Sequence, residues 1–252
     1  MYKCLKERMP NEKVVYLGDT ARLPYGSKSA ETIIKFSEEN ARFLLQKDVK
    51  IIVVACNSSS SYAVPMLQNS LDIPVIGVID AGSEAAIKNS QKKIGVIGTA
   101  ATISSEAYTK TILEKAPGLE ILSKACPLFV PLVEEGWIDH RVTRMVIEEY
   151  LMPLKEKGID TLVLGCTHYP VLKEPIAEVI GNEITLIDSG ITTADWVYVI
   201  LNSLGWLTEM DVEVKDTFLQ DEFYVTDFPE RFKTVGEIFL KRQIPTVNVA
   251  DI

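Results

Sequence analysis

Two cysteines stand at matching places in the sequence, each directly after a short apolar run. Cys56 lies in VVACNS and Cys166 lies in VLGCTH, so each follows a small residue and precedes a polar pair. A lone cysteine at the end of a strand is more often a small core residue than a reactive group. Two cysteines in the same local pattern are less easily explained by packing, and they indicate thiols that act together.

An internal repeat extends this match along the chain. IDAG follows with Asp80, 24 residues after Cys56, and IDSG follows with Asp188, 22 residues after Cys166. The repeat predicts two similar halves with one cysteine each. Ligand sites in parallel α/β sheets lie beyond the carboxyl ends of the strands, which is where both cysteines fall. We therefore expect the two thiols to face a cleft between the halves.

Thiols in this position could transfer protons. A thiol placed where a strand passes into a helix gains from unpaired backbone N–H groups and the positive helix end, which lower its pKa from about 8.5 toward neutrality. Two such groups on either side of a carbon atom could act as thiolate base and thiol acid, and exchange roles for the opposite enantiomer. The pattern predicts inversion at the Cα of an amino acid by Cys56 and Cys166.

Polar residues beside the cysteines suit the binding of an amino acid. Asn57, Ser58 and Thr167 carry short hydrogen-bonding side chains. The helix N-termini expected after Ser58 and His168 would offer backbone amides to a carboxylate. His168 could also donate to a Cys166 thiolate, or supply and receive its proton. These residues are predicted to complete the site around the two thiols.

A predicted turn near the cleft adds further candidates. Tyr25 and Gly26 belong to a Pro-Tyr-Gly turn that would bring an aromatic hydroxyl and an exposed N–H to the cleft mouth. A plain tight turn has the same sequence. Asp19, shortly before this turn, suits a helix or turn cap as well as a role at the site.

The second half contributes two threonines and a glutamate. Thr99 and Thr102 follow an apolar run and would face the same cleft, although threonines also cap helices in this way. Glu134 and Glu135 in VPLVEEGW are adjacent, and nothing local selects one of them.

The elements that must position these residues follow an α/β pattern. Short β-branched runs alternate with longer amphipathic stretches, as in parallel strands joined by crossover helices. Helices are predicted at 29–47, with Ser29 as its cap, and at 141–157. Strands are predicted at 14–18, 51–55, 74–79, 94–98, 119–123, 161–165 and 184–187, with a further strand at FYVTD near the end.

The repeat also predicts the domain organisation. We expect a discontinuous first α/β domain at 1–91 plus 190–252 and a second at 92–189, with the site in the cleft between two parallel sheets. The strand at 94–98 has no counterpart in the first half, so the repeat predicts a further strand and turn before Met1.

Composition excludes several other function classes. The net charge is −9 with acidic residues spread along the chain, which argues against a nucleic acid as partner. No apolar run reaches the length of a membrane span and the start lacks a signal-peptide stretch, so no membrane association and a cytoplasmic location are expected. The four cysteines show no CxxC or Cys/His spacing, so no metal site is expected.

Six segments together resemble the glutamate racemases of the aspartate/glutamate racemase superfamily, and the likeness covers nearly the whole chain. These segments are YLGDTARLPYGS (16–27), VVACNSSSSYA (53–63), PVIGVIDAG (74–82), IGVIGTAATISSEAY (94–108), ACPLFVPLVEEGW (125–137) and LVLGCTHYP (162–170).

The resemblance implies an isomerase that interconverts L- and D-glutamate without pyridoxal phosphate or any other cofactor, and supplies D-glutamate for peptidoglycan synthesis. It implies that Cys56 works on the D-enantiomer and Cys166 on the L-enantiomer, with His168 and Glu134 as further catalytic residues. Family members are commonly dimers, so a homodimer is expected by resemblance only. The resemblance implies substrate contacts for Tyr25, Gly26, Asn57, Ser58, Thr99, Thr102, Thr167 and His168.

The sequence departs from the family pattern at its start. The family opens with a strand and an Asp-Ser-Gly-x-Gly-Gly loop, whose aspartate assists the first cysteine and whose serine contacts substrate. MYKCLKERMPNEK resembles the helix that follows that loop. The resemblance and the repeat therefore both predict this strand before Met1.

Three alternatives remain at this point. A racemase of aspartate or another amino acid would differ in its side-chain pocket more than in its thiol pair. A catalytically impaired amino-acid-binding protein follows from the missing loop. A thiol redox protein would form a reversible disulfide between Cys56 and Cys166, which requires the two sulfurs to approach closely.

Overall fold

The computed structural model describes residues 1–209 and 217–252 of the chain. The predicted α/β class is confirmed, because short parallel strands alternate with helices. Within the described ranges the strands are β1 Val15–Gly18, β2 Ile52–Val54, β3 Val75–Gly77, β4 Lys93–Gly98, β5 Glu120–Ala125, β6 Thr161–Gly165, β7 Thr185–Asp188, β8 Glu222–Val225 and β9 Val247–Val249.

The helices fill the stretches between these strands. The α-helices are α1 Tyr2–Arg8, α2 Ala30–Leu45, α3 Asn57–Ser70, α4 Val78–Asn89, α5 Ala100–Ser104, α6 Ala107–Lys115, α7 Phe129–Glu134, α8 Arg141–Glu156, α9 Lys173–Ile180, α10 Ser189–Ser203 and α11 Pro229–Leu240. Both predicted helices are present as α2 and α8, and Ser29 caps α2 by accepting from the backbone N–H of Thr32 at 3.3 Å. In the part of the chain that the structure describes, no helix is long and apolar enough to cross a membrane.

The largest sheet has the order β5-β4-β6-β7 and is parallel throughout. Alternate side chains of its central strands point to opposite faces. Leu162 and Leu164 pack in the core formed with α8 and α9, whereas Val163 packs in the core formed with α4 and α6. Because both faces are covered by helices, β4 and β6 are apolar from their second residue onward.

The remaining strands form two smaller parallel sheets, β1-β8-β9 and β2-β3. β1 and β2 are not neighbours in a sheet, and no strand of the described residues is hydrogen-bonded to both of them. In the repeat, β2 corresponds to β6 because each leads to one of the two cysteines, and β1 corresponds to β5 as the strand before it. β5 and β6 are both hydrogen-bonded to β4, so no described strand joins β1 to β2 as β4 joins β5 to β6.

The C-terminal residues return to the first strand. The predicted strand FYVTD is present as β8 and pairs with β1, with Val15 opposite Glu222. β9 was not predicted, because three residues are too few to show an alternating pattern. The largest sheet lies inside 92–189 and the other strands lie outside it, while the two domain boundaries stay a prediction.

One predicted strand is shorter in the structure. The strand expected at 74–79 ends at Gly77, and α4 begins at Val78. The hydroxyl of Ser60 accepts a hydrogen bond from the backbone N–H of Val78 at 3.2 Å, which caps the new helix. This capping group belongs to α3, so the apolar run around Val78 gives no sign of the change.

Candidate active site

Both cysteines lie at the carboxyl ends of strands, as the sequence predicted. Cys56 follows β2 and is the N-cap residue of α3, where its carbonyl accepts from the backbone N–H of Ser60 at 2.8 Å. Cys166 directly follows β6 and is 7% exposed. Both are free thiols. One candidate thiol therefore ends β2 and the other ends β6.

The environment of Cys56 differs from the sequence-based expectation. Burial raises the pKa of its thiol, and a negative charge on Cys166 raises it further, whereas hydrogen bonds from Ser59 and Ser58 lower it by less. The prediction that the helix N-terminus lowers this pKa is therefore wrong for Cys56, because desolvation outweighs the amides.

Cys166 is joined by a histidine and a glutamate. His168 Nδ1 lies 3.9 Å from Cys166 Sγ, and its Nε2 lies 2.6 Å from Glu134 Oε1. Burial lowers the pKa of His168, but hydrogen bonds and negative charges from Cys166 and Glu134 outweigh it and raise this pKa to about 9. The hydrogen bond to His168 in turn lowers the pKa of Glu134.

This histidine is therefore an imidazolium at neutral pH. It can hold Cys166 as a thiolate through charge and hydrogen bonding, or return a proton to it. The structure places Glu134 against His168, while Glu135 is the C-cap residue after α7. The local sequence could not distinguish the two glutamates. The contact that does so joins Glu134 to His168, which is 34 positions further along the chain.

A cluster of three hydroxyls joins the two halves near Cys56. Ser58 Oγ lies 2.9 Å from Thr99 Oγ1 and 3.2 Å from Thr102 Oγ1, and the two threonine oxygens are 3.1 Å apart. Thr99 also caps α5, accepting from the backbone N–H of Thr102 at 3.3 Å. Thr99 is therefore a helix cap, and the role of both threonines in a substrate site stays a prediction.

Asn57 is buried beside this cluster, at 2% exposure. Its Oδ1 accepts a hydrogen bond from Tyr108 at 2.8 Å, while its Nδ2 has no partner among the described residues. Tyr108 was not a candidate from the sequence. It ends the segment IGVIGTAATISSEAY, but this segment gave no sign of the contact with Asn57, which joins residues 51 positions apart.

The Tyr25 hydroxyl forms hydrogen bonds to two residues of the first half. It donates to the Asp19 carboxylate and accepts from Asn40 Nδ2. A Cβ on Gly26 would stand 2.4 Å from the Thr99 Cβ, which shows how closely the turn approaches α5. The contact of this turn with a substrate stays a prediction.

The segment after Cys166 also differs from expectation. Thr167 is exposed, with its hydroxyl 3.4 Å from His168 Nδ1. The helix predicted to start after His168 begins with a 3-10 turn at Tyr169–Leu172, which leads directly into α9. Buried Tyr169 donates to the carbonyl of Cys126 at 2.9 Å, which fixes this turn against the core.

Comparison with known proteins places this geometry in a family. Residues 1–195 match the family described as Asp/Glu/hydantoin racemase. A glutamate racemase of Syntrophus aciditrophicus is 45% identical over 247 residues, which are 98% of this chain and 90% of that protein. The chain belongs to the Asp/Glu racemase family.

Solved structures of this racemase family share the fold. A glutamate racemase isoform from Bacillus anthracis gives a TM-score of 0.93 at 38% identity, covering 100% of this chain and 92% of that one. A glutamate racemase from Francisella tularensis, in complex with D-glutamate, gives a TM-score of 0.90 at 39% identity, covering 99% and 92%. The resemblance stated from the sequence is confirmed, and the chain is a racemase enzyme with the two-domain fold of these proteins.

Proposed function

We propose that this racemase interconverts L- and D-glutamate, with Cys56 and Cys166 as its two proton-transfer groups. The observation that carries the proposal is the placement of two free thiols directly after the parallel strands β2 and β6, with the hydroxyls of Ser58 and Thr99 in contact beside the first of them. The relatives from Syntrophus aciditrophicus and Francisella tularensis are glutamate racemases, and the second was solved with D-glutamate.

The reaction consists of two proton transfers at one carbon. The Cys56 thiolate takes the Cα proton of D-glutamate, and the electron pair of the broken C–H bond stays on the substrate next to the carboxylate. The Cys166 thiol then gives its proton to the opposite face, which yields L-glutamate and a Cys166 thiolate. L-glutamate reacts in the reverse direction, and no cofactor is needed for either transfer.

The environments of the thiols suit this exchange of roles. Because burial raises the pKa of Cys56, its thiolate needs a nearby positive charge, which the ammonium group of a bound amino acid supplies. On the other side the His168 imidazolium stabilises the Cys166 thiolate and can restore its proton, while Glu134 keeps the imidazole charged.

The polar groups of the cleft would hold the two ends of glutamate. Ser58, Thr99 and Thr102 present a shared cluster of hydroxyls, and Asn57 presents an unpaired amide donor. On the Cys166 side the exposed hydroxyl of Thr167 is available. The backbone of the Tyr25–Gly26 turn completes the proposed set of substrate contacts.

We also propose the wider role that the family suggests. The enzyme would act in the cytoplasm as a homodimer and supply D-glutamate for peptidoglycan. Its partner in the reaction is a small amino acid, and the net charge of −9 gives no support for a nucleic acid.

Circular dichroism of L- and D-glutamate solutions tests the proposal directly. The wild-type chain should bring either enantiomer to the racemic mixture, and aspartate should react far more slowly. Cys56→Ala and Cys166→Ala should each reduce the rate by at least about a thousandfold, because each removes a proton-transfer group. Cys4→Ala is the matched control, since Cys4 lies in α1 and takes no part in the reaction.

Three results would overturn the proposal. Full activity in either cysteine variant would rule out the two-thiol mechanism. Preference for aspartate would change the substrate. Calorimetric binding of glutamate by a wild-type chain that leaves its optical activity unchanged would favour an amino-acid-binding protein.

A further inference from the structure

A buried amide donor beside the first thiol has no partner in the described part of the protein. Asn57 is 2% exposed, and its Nδ2 makes no hydrogen bond there. Buried donors are nearly always satisfied, so an unpaired one next to a reactive residue indicates a group that arrives with the ligand. Asn57 directly follows Cys56, so this donor lies close to the proposed reacting carbon.

The orientation of this amide is determined by Tyr108. The Tyr108 hydroxyl donates to Asn57 Oδ1 at 2.8 Å. Burial raises the pKa of Tyr108 above its usual range, so the group remains an O–H donor. With Oδ1 held in this way, Nδ2 must be directed elsewhere, because the two ends of an amide lie on opposite sides.

The Tyr108 hydroxyl is itself closely confined. The ring is 2% exposed and belongs to the core that includes Ile94 and Val163. A Cβ on Gly82 would stand 3.1 Å from the hydroxyl oxygen, so α4 approaches it from another side. Tyr108 lies in α6 while Asn57 begins α3, so the hydrogen bond fixes a group of one half against the other half.

We propose that Tyr108 is a positioning residue that aims Asn57 Nδ2 at a carboxylate oxygen of the amino-acid substrate. The proposal rests on the function proposed above and adds a residue to which the sequence motifs assigned no role. A phenylalanine would fill the same space, so packing alone does not require the hydroxyl. The hydroxyl of Tyr108 instead determines which way the Asn57 side-chain amide faces.

Racemisation kinetics of Tyr108→Phe test this role. The variant should raise KM for both enantiomers of glutamate about tenfold and leave kcat within about twofold, because the lost interaction holds the substrate equally before and during proton transfer. In an Asn57→Ala background the same substitution should change KM by less than about twofold, since its effect acts through Asn57.

Tyr62→Phe is the matched control. Tyr62 also uses its hydroxyl to join the halves, donating to the Ala101 carbonyl at 3.0 Å, but it does not touch Asn57. It should leave KM unchanged. Asn57→Asp provides a second route should Tyr108→Phe fold poorly, because it keeps an acceptor for Tyr108 while removing the N–H donor, and it should raise KM at least as much.

The following results would contradict the proposal. An unchanged KM in Tyr108→Phe or in Asn57→Asp, an equal rise in Tyr62→Phe, or full additivity with Asn57→Ala would overturn the positioning role while leaving the racemase intact. A wild-type chain that neither racemises nor binds glutamate would instead overturn the proposed function, and the positioning role with it.

Discussion

At the residue scale, the chemistry of the second thiol depends on a charged histidine. Glu134 and Cys166 together raise the pKa of His168 to about 9, against the effect of burial. The folded protein therefore binds a proton at His168 more tightly than the unfolded chain does. This contribution to stability is fully present below about pH 6.5 and is lost as the pH rises through about 9.

Titration of His168 by NMR tests this coupling. The sequence contains only two histidines, so His140 provides an internal reference for the assignment. In Glu134→Gln the pKa of His168 should fall, because the carboxylate that favours the imidazolium is gone. Racemisation should then decline at a lower pH on the alkaline side than in the wild type. An unchanged titration of His168 would show that Glu134 does not control its charge.

The sequence predicted residues of this site where the information is local. Asn57, Ser58 and His168 are within two positions of a cysteine, so the strand-end pattern placed them correctly near the thiols. The hydrogen bond from Asn40 to the Tyr25 hydroxyl was not predictable from the turn itself, because the two residues are 15 positions apart. Contacts formed by folding, such as that of Tyr108 with Asn57, were beyond local patterns.

At the element scale, the strands differ in how completely they are paired. β4 is hydrogen-bonded to β5 and β6, and β6 to β4 and β7, whereas β1 pairs only with β8 and β2 only with β3 among the described strands. Residues 94–98 and 161–165 are buried, while all of 15–18 is partly exposed. β1 and β2 should therefore open more easily than β4 and β6.

Hydrogen exchange followed by mass spectrometry measures this difference. Peptides covering β1 and β2 should exchange at least about tenfold faster than those covering β4 and β6, because fewer hydrogen bonds and less burial protect them. β8, which is paired on both sides, is the control within the smaller sheet and should exchange more slowly than β1. Equal protection of β1 and β4 would contradict the expectation that the less completely paired strands open more easily.

Strand positions were predictable because their apolar runs are short and bounded by polar residues. The boundary between β3 and α4 was not, because the Ser60 hydroxyl that caps Val78 comes from a different helix. The 3-10 turn after His168 was also missed, since Tyr169 is held there by the distant carbonyl of Cys126.

At the scale of the whole molecule, one repeated pattern supplies both thiols. Each half ends a parallel strand in a cysteine, and the hydroxyls of Ser58 and Thr99 bring the halves into contact beside the site. The family relationship and the fold follow from the sequence because the repeat and the motifs extend over most of the chain. The relative placement of the halves needed the structure, since it rests on side chains far apart in sequence.

The central claim is that different thiols remove and deliver the Cα proton, and NMR of the reaction in D₂O tests it most directly. L-glutamate should yield D-glutamate that carries deuterium at Cα, while the remaining L-glutamate keeps its proton during the first turnovers. The reaction that begins with D-glutamate should show the mirror pattern. This result follows because the delivering thiol has exchanged with solvent before it acts. Deuterium entering the unreacted enantiomer as fast as the product forms would contradict the account, since a single base would then serve both faces.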